Sequence, residues 1–379
     1  MKLYTCSNCN NLLYFENSVC LNCNHAIGFD AESLSMIALV PSGDNLFSET
    51  GNASRRFRYC SNFAFGTCNW IIPENADAEF CKACELNHTI PDLSIEQNQV
   101  RWKKIEIAKH RLVFSLLRLQ LPMDVKVEKE DRGIWFDFLA DEPEGERVTT
   151  GHDSGIITLN IEEADDDVRM RNLMNLGERY RTLLGHFRHE IGHYYWELLI
   201  NNQSPLEKFR ELFGDERADY GKALEKYYQQ GLSFNWMNEY ISPYATAHPW
   251  EDWAETWSHY LHMMDTLETA YYFSIRVRPR PASGEELSKA SVKEDPYEIS
   301  DFNQIMQLWL PLSFAVNSLN RSMGHQDFYP FVISPKVVEK LAFIHEVVRS
   351  KEMAIRRRSI SPGSVAAIES LNPNSKISQ

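Results

Sequence analysis

Eight cysteines, all before residue 85, constrain the fold of this chain more than any other feature. Cys6, Cys9, Cys20 and Cys23 read C-x2-C-x10-C-x2-C, and Cys60, Cys68, Cys81 and Cys84 read C-x7-C-x12-C-x2-C. A C-x2-C turn lets two thiolates grip one side of a metal ion while a second pair closes the tetrahedron, as in a zinc ribbon or knuckle. Two structural zinc ions are expected. Four thiolates leave zinc no open position, so these ions fold their segments and do no chemistry. Disulfides would need an oxidising compartment, which nothing in the sequence implies.

The charge balance excludes one common use of such a ribbon. Residues 1–90 carry five Lys/Arg against nine Asp/Glu, and the whole chain has a formal charge of -14. Such a surface has few cations with which to neutralise phosphates, so nucleic acid is not an expected partner. A protein contact at the ribbon, or a purely structural role, fits better. The first fifteen residues, "MKLYTCSNCNNLLYF", hold no long apolar run before a cleavage site. The longest apolar stretch later on, "LWLPLSFAV", falls far short of the ~20 residues a membrane span needs. A soluble, cytoplasmic protein is expected, with no membrane partner.

A length of 379 residues implies more than one domain. The expected order is a zinc ribbon over 1–34, a second four-cysteine segment over 35–92, a larger domain over 93–355 and a disordered polar tail over 356–379. Residues 35–59, with "PSGDNLFSETGNAS", read as a polar connection between the cysteine segments. A long helix follows, with Ser94 as its N-cap. "GIWFDFLAD" and "SGIITLNI" read as strands and "EPEGERVTTGHD" as the turn region between them. Helical periodicity then dominates, over about 164–200 with a break near Gly177, then 205–230, 250–270, 300–323 and 335–353. The fold class expected is α+β, a small zinc-ribbon module followed by a mainly helical domain with a small sheet.

Within this helical part, residues 186–199 read "HFRHEIGHYYWELL". On a helix, His189 and His193 lie one turn apart on one face, so both imidazoles can reach one zinc ion, with Glu190 beside them as a general base. No histidine follows in "YYWELLINNQS", so a third ligand must come from elsewhere. In "SPYATAHPWEDWAETWSHYLHMMD", Trp250, Trp253, Trp257, Tyr260, Leu261 and Met264 share one helix face, and Glu251, Glu255 and His262 share the opposite one. Two carboxylates four apart repel unless a cation neutralises them. Glu251 is the candidate third ligand, and Glu255 the carboxylate that holds a ligand histidine by its other nitrogen. Asp215 and Asp219 are rival ligands, though an N-cap and an exposed acidic face explain them as well; His248 either lines the cleft or packs beside Pro249, and His259 reads as structural. A di-iron carboxylate bundle would need a second Glu-x2-His pair on a facing helix, and Glu85-x2-His88 lies beside the cysteines instead.

The pairing of His-Glu-x-x-His with a later Glu-x3-Glu resembles the gluzincins, such as thermolysin and anthrax lethal factor. In lethal factor-like enzymes a tyrosine stands seven residues before the ligand glutamate to stabilise the oxyanion, which by resemblance assigns that role to Tyr244. More closely, "CLNCNHAIGFD", "GHDSGIITLNIEEADD", "RHEIGHYYW", "FGDERADYGKALEKYY" and "SPYATAHPWEDWAETWSHYLH" resemble a bacterial family of zinc-binding metallopeptidases with an N-terminal zinc ribbon and a zincin-like domain. The resemblance implies one catalytic zinc beside the two structural ones, and hydrolysis of a peptide or protein. It also implies that a strand near the cleft pairs with extended substrate, for which "GIITLN" is the candidate. A zinc-stabilised interaction protein with an inactive or latent zincin domain is the alternative from another class. Intact Glu190 and Tyr244 favour the enzyme, because a scaffold needs neither base nor oxyanion donor.

Overall fold

The computed structural model describes residues 2–141, 147–169, 171, 182–230, 235–280 and 288–350. The break expected near Gly177 and the tail over 356–379 lie outside them. A short hairpin of β1 (Tyr4–Thr5) and β2 (Leu12–Leu13) carries the first cysteine pair. Five strands then close into a small barrel: β3 (Ala26–Asp30), β4 (Ser35–Gly43), β5 (Leu46–Glu49), β6 (Asn52–Tyr59) and β7 (Trp70–Pro73). Residues 35–59 are therefore strands and not a connection. Of the Gly, Ser and Asn residues that suggested a loop, Asn45 (φ 55°) and Gly51 (φ 82°) form the two hairpin turns in left-handed backbone, and the others lie in the strands.

Ile37, Leu39, Phe57 and Ile71 cluster in the barrel. Closure depends on Gly28, where a Cβ would lie 2.2 Å from Ile71 Cγ2. β3 and β7 thereby run side by side in parallel, and the two cysteine segments become parts of one body.

β8 (Asn87–Thr89) leaves the second cysteine cluster and joins another sheet. Its partners are β9 (Trp135–Leu139), β10 (Gly151–Asp153) and β11 (Ile156–Asn160), in the order β10-β11-β9-β8. β11 runs parallel to β9 and antiparallel to β10, so "GIITLN" is paired on both sides. The edge strands are β8 and β10, the latter in the segment read as a turn. Between β8 and β9 lies α1 (Glu96–Arg118), whose N-cap is Ile95 and not Ser94. Ser94 is occupied as the backbone donor to Asp92 Oδ1.

α2 (Leu183–Leu199) carries the His-Glu-x-x-His segment and starts at Thr182, whose side chain accepts from Gly185 N–H. The helix expected over 205–230 is two, α3 (Leu206–Phe213) and α4 (Tyr220–Gln230), because Gly214 turns the chain at φ 105°. α5 (Pro249–Tyr272), α6 (Phe302–Ser322) and α7 (Pro335–Arg349) are the remaining α-helices among the described residues. No helix among the described residues is long and apolar enough to cross a membrane.

α2 and α5 pack face to face, and this pairing builds the site. Gly192 permits the approach, since a Cβ there would lie 3.1 Å from Ala254 Cα. Trp253 Nε1–H donates to Gly192 O at 2.9 Å, and the fully buried Trp257 stacks on Tyr195. A small residue and two indoles thus set the spacing between the helices.

Candidate metal centres

The face of α2 that meets α5 presents His189 and His193, and α5 answers with Glu251 and Glu255. His189 Nε2 lies 3.2 Å from His193 Nε2 and 3.0 Å from Glu251 Oε2, and His193 Nε2 lies 3.6 Å from that oxygen. The three donor atoms fall within 4.8 Å of one another. Glu251 is buried, and a buried carboxylate facing two imidazoles calls for positive charge between them. His189 Nδ1–H donates to Glu255 Oε1 at 2.7 Å, which turns Nε2 toward His193 and Glu251. Burial alone would lower the His189 pKa, but its bonds to Glu251 and Glu255 hold it well above the ordinary histidine value. Burial would likewise raise Glu251, but His193 and His189 hold it well below the usual carboxylate range. A divalent cation held by neutral imidazoles meets the same electrostatic demand, and two nitrogens with one carboxylate oxygen suit zinc.

A tyrosine that the sequence reading did not single out completes this shell. Tyr220, at the start of α4, donates its hydroxyl hydrogen to Glu251 Oε1 at 2.6 Å. Its segment, "FGDERADY", carries part of the family resemblance and two candidate aspartate ligands, but nothing in its spacing marks the tyrosine. Tyr244 sits on the short turn before α5, its ring 5.9 Å from that of His189. Burial raises the Tyr244 hydroxyl pKa, with the charge on Glu251 adding to the effect, so it remains a protonated donor. Glu190 is near enough for its charge to act on both Tyr220 and Tyr244.

Other candidates fall elsewhere. Asp215 is engaged by Arg217 at 2.8 Å on the surface, which pulls its carboxyl down to about 2. His248 caps α5 by accepting from Trp250 N–H, and His259 is hydrogen-bonded to Tyr329. His262 faces Arg188. His88 is paired with Asp137 and stacked on Trp135.

Both cysteine quartets converge. Cys6, Cys9, Cys20 and Cys23 offer sulfurs within 4.8 Å of one another, as do Cys60, Cys68, Cys81 and Cys84. All eight are free thiols, with Cys6–Cys23 and Cys68–Cys81 sulfur separations of 3.7 Å, too long for disulfides. In the first quartet Cys6 and Cys20 are buried and Cys9 and Cys23 only partly so, whereas all four of the second are buried. In the first, the backbone N–H of His25 pulls Cys23 down to about 5, whereas burial pushes Cys6 up to about 12. In the second, burial pushes Cys68 and Cys81 well up, while hydrogen bonds from Cys60, Cys68 and Cys81 pull Cys84 well down. Four sulfurs at ligand spacing in a buried pocket fit a structural zinc ion.

Comparison with known proteins agrees with this division. Residues 98–347 match the family described as "Putative zinc-binding metallo-peptidase", and residues 3–95 match a zinc-ribbon domain family. An uncharacterized protein of Mycobacterium tuberculosis is 40% identical over 349 residues, covering 92% of this chain and 95% of its own. One from Mycobacterium bovis has the same identity and coverage. No solved structure matches.

Proposed function

Because the chain belongs to the zinc-binding metallo-peptidase family, we propose that it hydrolyses peptide bonds at a site made by His189, His193, Glu251 and Glu190. The observation that carries this reading is the convergence of His189, His193 and Glu251 from two packed helices, with Glu255 orienting the first imidazole. Zinc held there supplies Lewis acidity, polarising the substrate carbonyl and making the attacking water more acidic. Glu190 takes the proton of that water and passes it to the departing amine. Tyr244, kept protonated by its surroundings, donates to the oxygen that gains charge. Tyr220 holds Glu251 in place by its 2.6 Å hydrogen bond. β10, the antiparallel edge strand packed against α2, offers the backbone groups on which an extended peptide would lie. The thiolate quartets hold structural zinc, and the substrate is a peptide or protein.

Tyr244→Phe is expected to bind metal normally and to lose rate by on the order of 10² to 10³-fold, as when one oxyanion donor is deleted. Steady-state cleavage with parallel metal analysis measures both. Glu255→Ala should weaken the exchangeable metal by roughly 10 to 100-fold, the range for carboxylates that orient a ligand histidine. Chelator removal tests the whole arrangement. The chain should hold three zinc ions, and a mild chelator should strip one quickly, with all cleavage, because an open site exposes its metal and closed thiolate sites do not. Cleavage that survives loss of that ion would overturn the proposal.

A further inference from the structure

The second cysteine quartet touches a set of buried charges that the catalytic proposal does not use. They lie on α1, on the face that carries Trp102 and Ile105. Glu106, Lys109 and His110 are all buried there. His110 Nε2 lies 3.6 Å and Glu106 Oε2 3.8 Å from Cys84 Sγ. His110 Nδ1–H donates to Glu106 O at 2.7 Å, which fixes the ring with Nε2 facing the sulfur. Glu106 Oε1 accepts from Trp102 Nε1–H at 3.2 Å, from Asn87 Nδ2–H at 2.8 Å and from Lys109 Nζ–H at 3.0 Å. Lys109 also donates to Asn87 Oδ1, on β8.

Cys84, Glu106 and His110 have the spacing of a metal site of their own. The Lys109 ammonium, bonded to Glu106, opposes a second cation there. Carrying three ionisable side chains into an apolar core is costly unless each is paired, and here the pairs end on a cysteine sulfur. The first quartet is built differently. Its polar neighbours come from its own loops, through Asn8, which bonds His25, and Ser7, which accepts from Ala38 N–H. Its ties to α1 are Phe15 against Phe114 at 5.4 Å between ring centroids and a partly exposed ion pair of Arg111 with Glu16, neither of which touches a cysteine sulfur.

We propose that the second thiolate centre is the joint between the ribbon and the catalytic half, with His110 as the positioning residue for Cys84. Metal there holds Cys84, the Cys84 thiolate accepts from His110 Nε2–H on α1, and α1 packs against α2. β8, reached directly from Cys84 through Asn87, ties the same centre to the central sheet. Metal at the first centre shapes only its own knuckle, because metal-binding energy becomes folding energy where the ligands lie.

The test uses the full chain and reads structure, so it stands apart from the peptidase proposal. Hydrogen exchange over residues 96–118 is compared in Cys9→Ser and Cys68→Ser, each of which removes one ligand from one centre. Cys68→Ser should lose protection in α1, and Cys9→Ser should keep it. Equal effects of the two, in either direction, would overturn the joint. His110 is tested by ¹¹³Cd NMR of the cadmium-loaded protein and by metal release to a chromogenic chelator. His110→Phe should shift one of the two thiolate-bound cadmium signals and weaken that centre by roughly 10 to 100-fold. His110→Gln, which keeps a donor, should restore most of the loss. If His110→Phe does not fold, Glu106→Gln should shift the same signal alone. Two unshifted signals in a folded variant, with release at the wild-type rate, would show that His110 is merely packed there.

Discussion

Glu251→Ala is expected to leave both thiolate centres loaded while the exchangeable metal is lost, and cleavage with it. Two imidazoles alone hold a cation poorly and supply no compensating charge, so affinity should fall by more than the 10 to 100-fold that an orienting partner costs. The substitution also deprives the Tyr220 hydroxyl of its acceptor, so Tyr220→Phe is the informative companion. It keeps the carboxylate ligand but frees it to rotate, and its effect on affinity should be intermediate. Metal analysis after gel filtration, run beside a cleavage assay, reads both variants. A Glu251→Ala protein that kept its metal while Glu255→Ala lost it would exchange the roles of the two carboxylates.

Glu190→Gln should do the opposite to metal and the same to activity. Glu190 is not among the convergent donor atoms, so the ion should stay in place. An amide cannot accept a proton from the attacking water, so turnover should fall by at least the 10² to 10⁴-fold typical of a lost general base. The structure around it should persist, because α2 is fixed by Trp253, Trp257 and the Gly192 contact rather than by this side chain. Circular dichroism and metal content identical to wild type, with cleavage all but abolished, is the expected combination.

What could be read in advance was what chemistry ties to spacing. C-x2-C pairs, His-Glu-x-x-His and Glu-x3-Glu are legible because ligands on one ion must share a turn or a helix face. The general fold class followed from the same spacing and from the helical periodicity after residue 160. The barrel was not legible. β5 is only four residues long, and β4, β5 and β6 carry Gly, Ser and Asn residues in and between them that also make a loop, so pairing with β3 and β7 decides the matter. Tyr220 was missed for a related reason. It reaches Glu251 across 31 positions of chain, and the positive φ of Gly214 that turns the chain toward it leaves no periodic mark. The charges on α1 did leave a signal. Glu106, Lys109 and His110 fall on the same face as Trp102 and Ile105, and ionisable groups on an apolar stripe mark a buried network with a partner elsewhere. "GIITLN" was read as the strand bordering the cleft, but it is paired on both sides, and β10 beside it, only three residues long and starting at Gly151, left no strand pattern.

α2 and α5 are proposed together to make a peptide-hydrolysing zinc site. Its most direct test is digestion of an unbiased peptide library by the metal-loaded chain and by Glu190→Gln, prepared side by side and read by mass spectrometry. Cleavage products that appear with the wild-type chain, vanish with Glu190→Gln and vanish again when the exchangeable zinc is withdrawn are the predicted result. Products formed equally by both proteins, or no products from a wild-type chain shown to carry zinc at His189, His193 and Glu251, would contradict it.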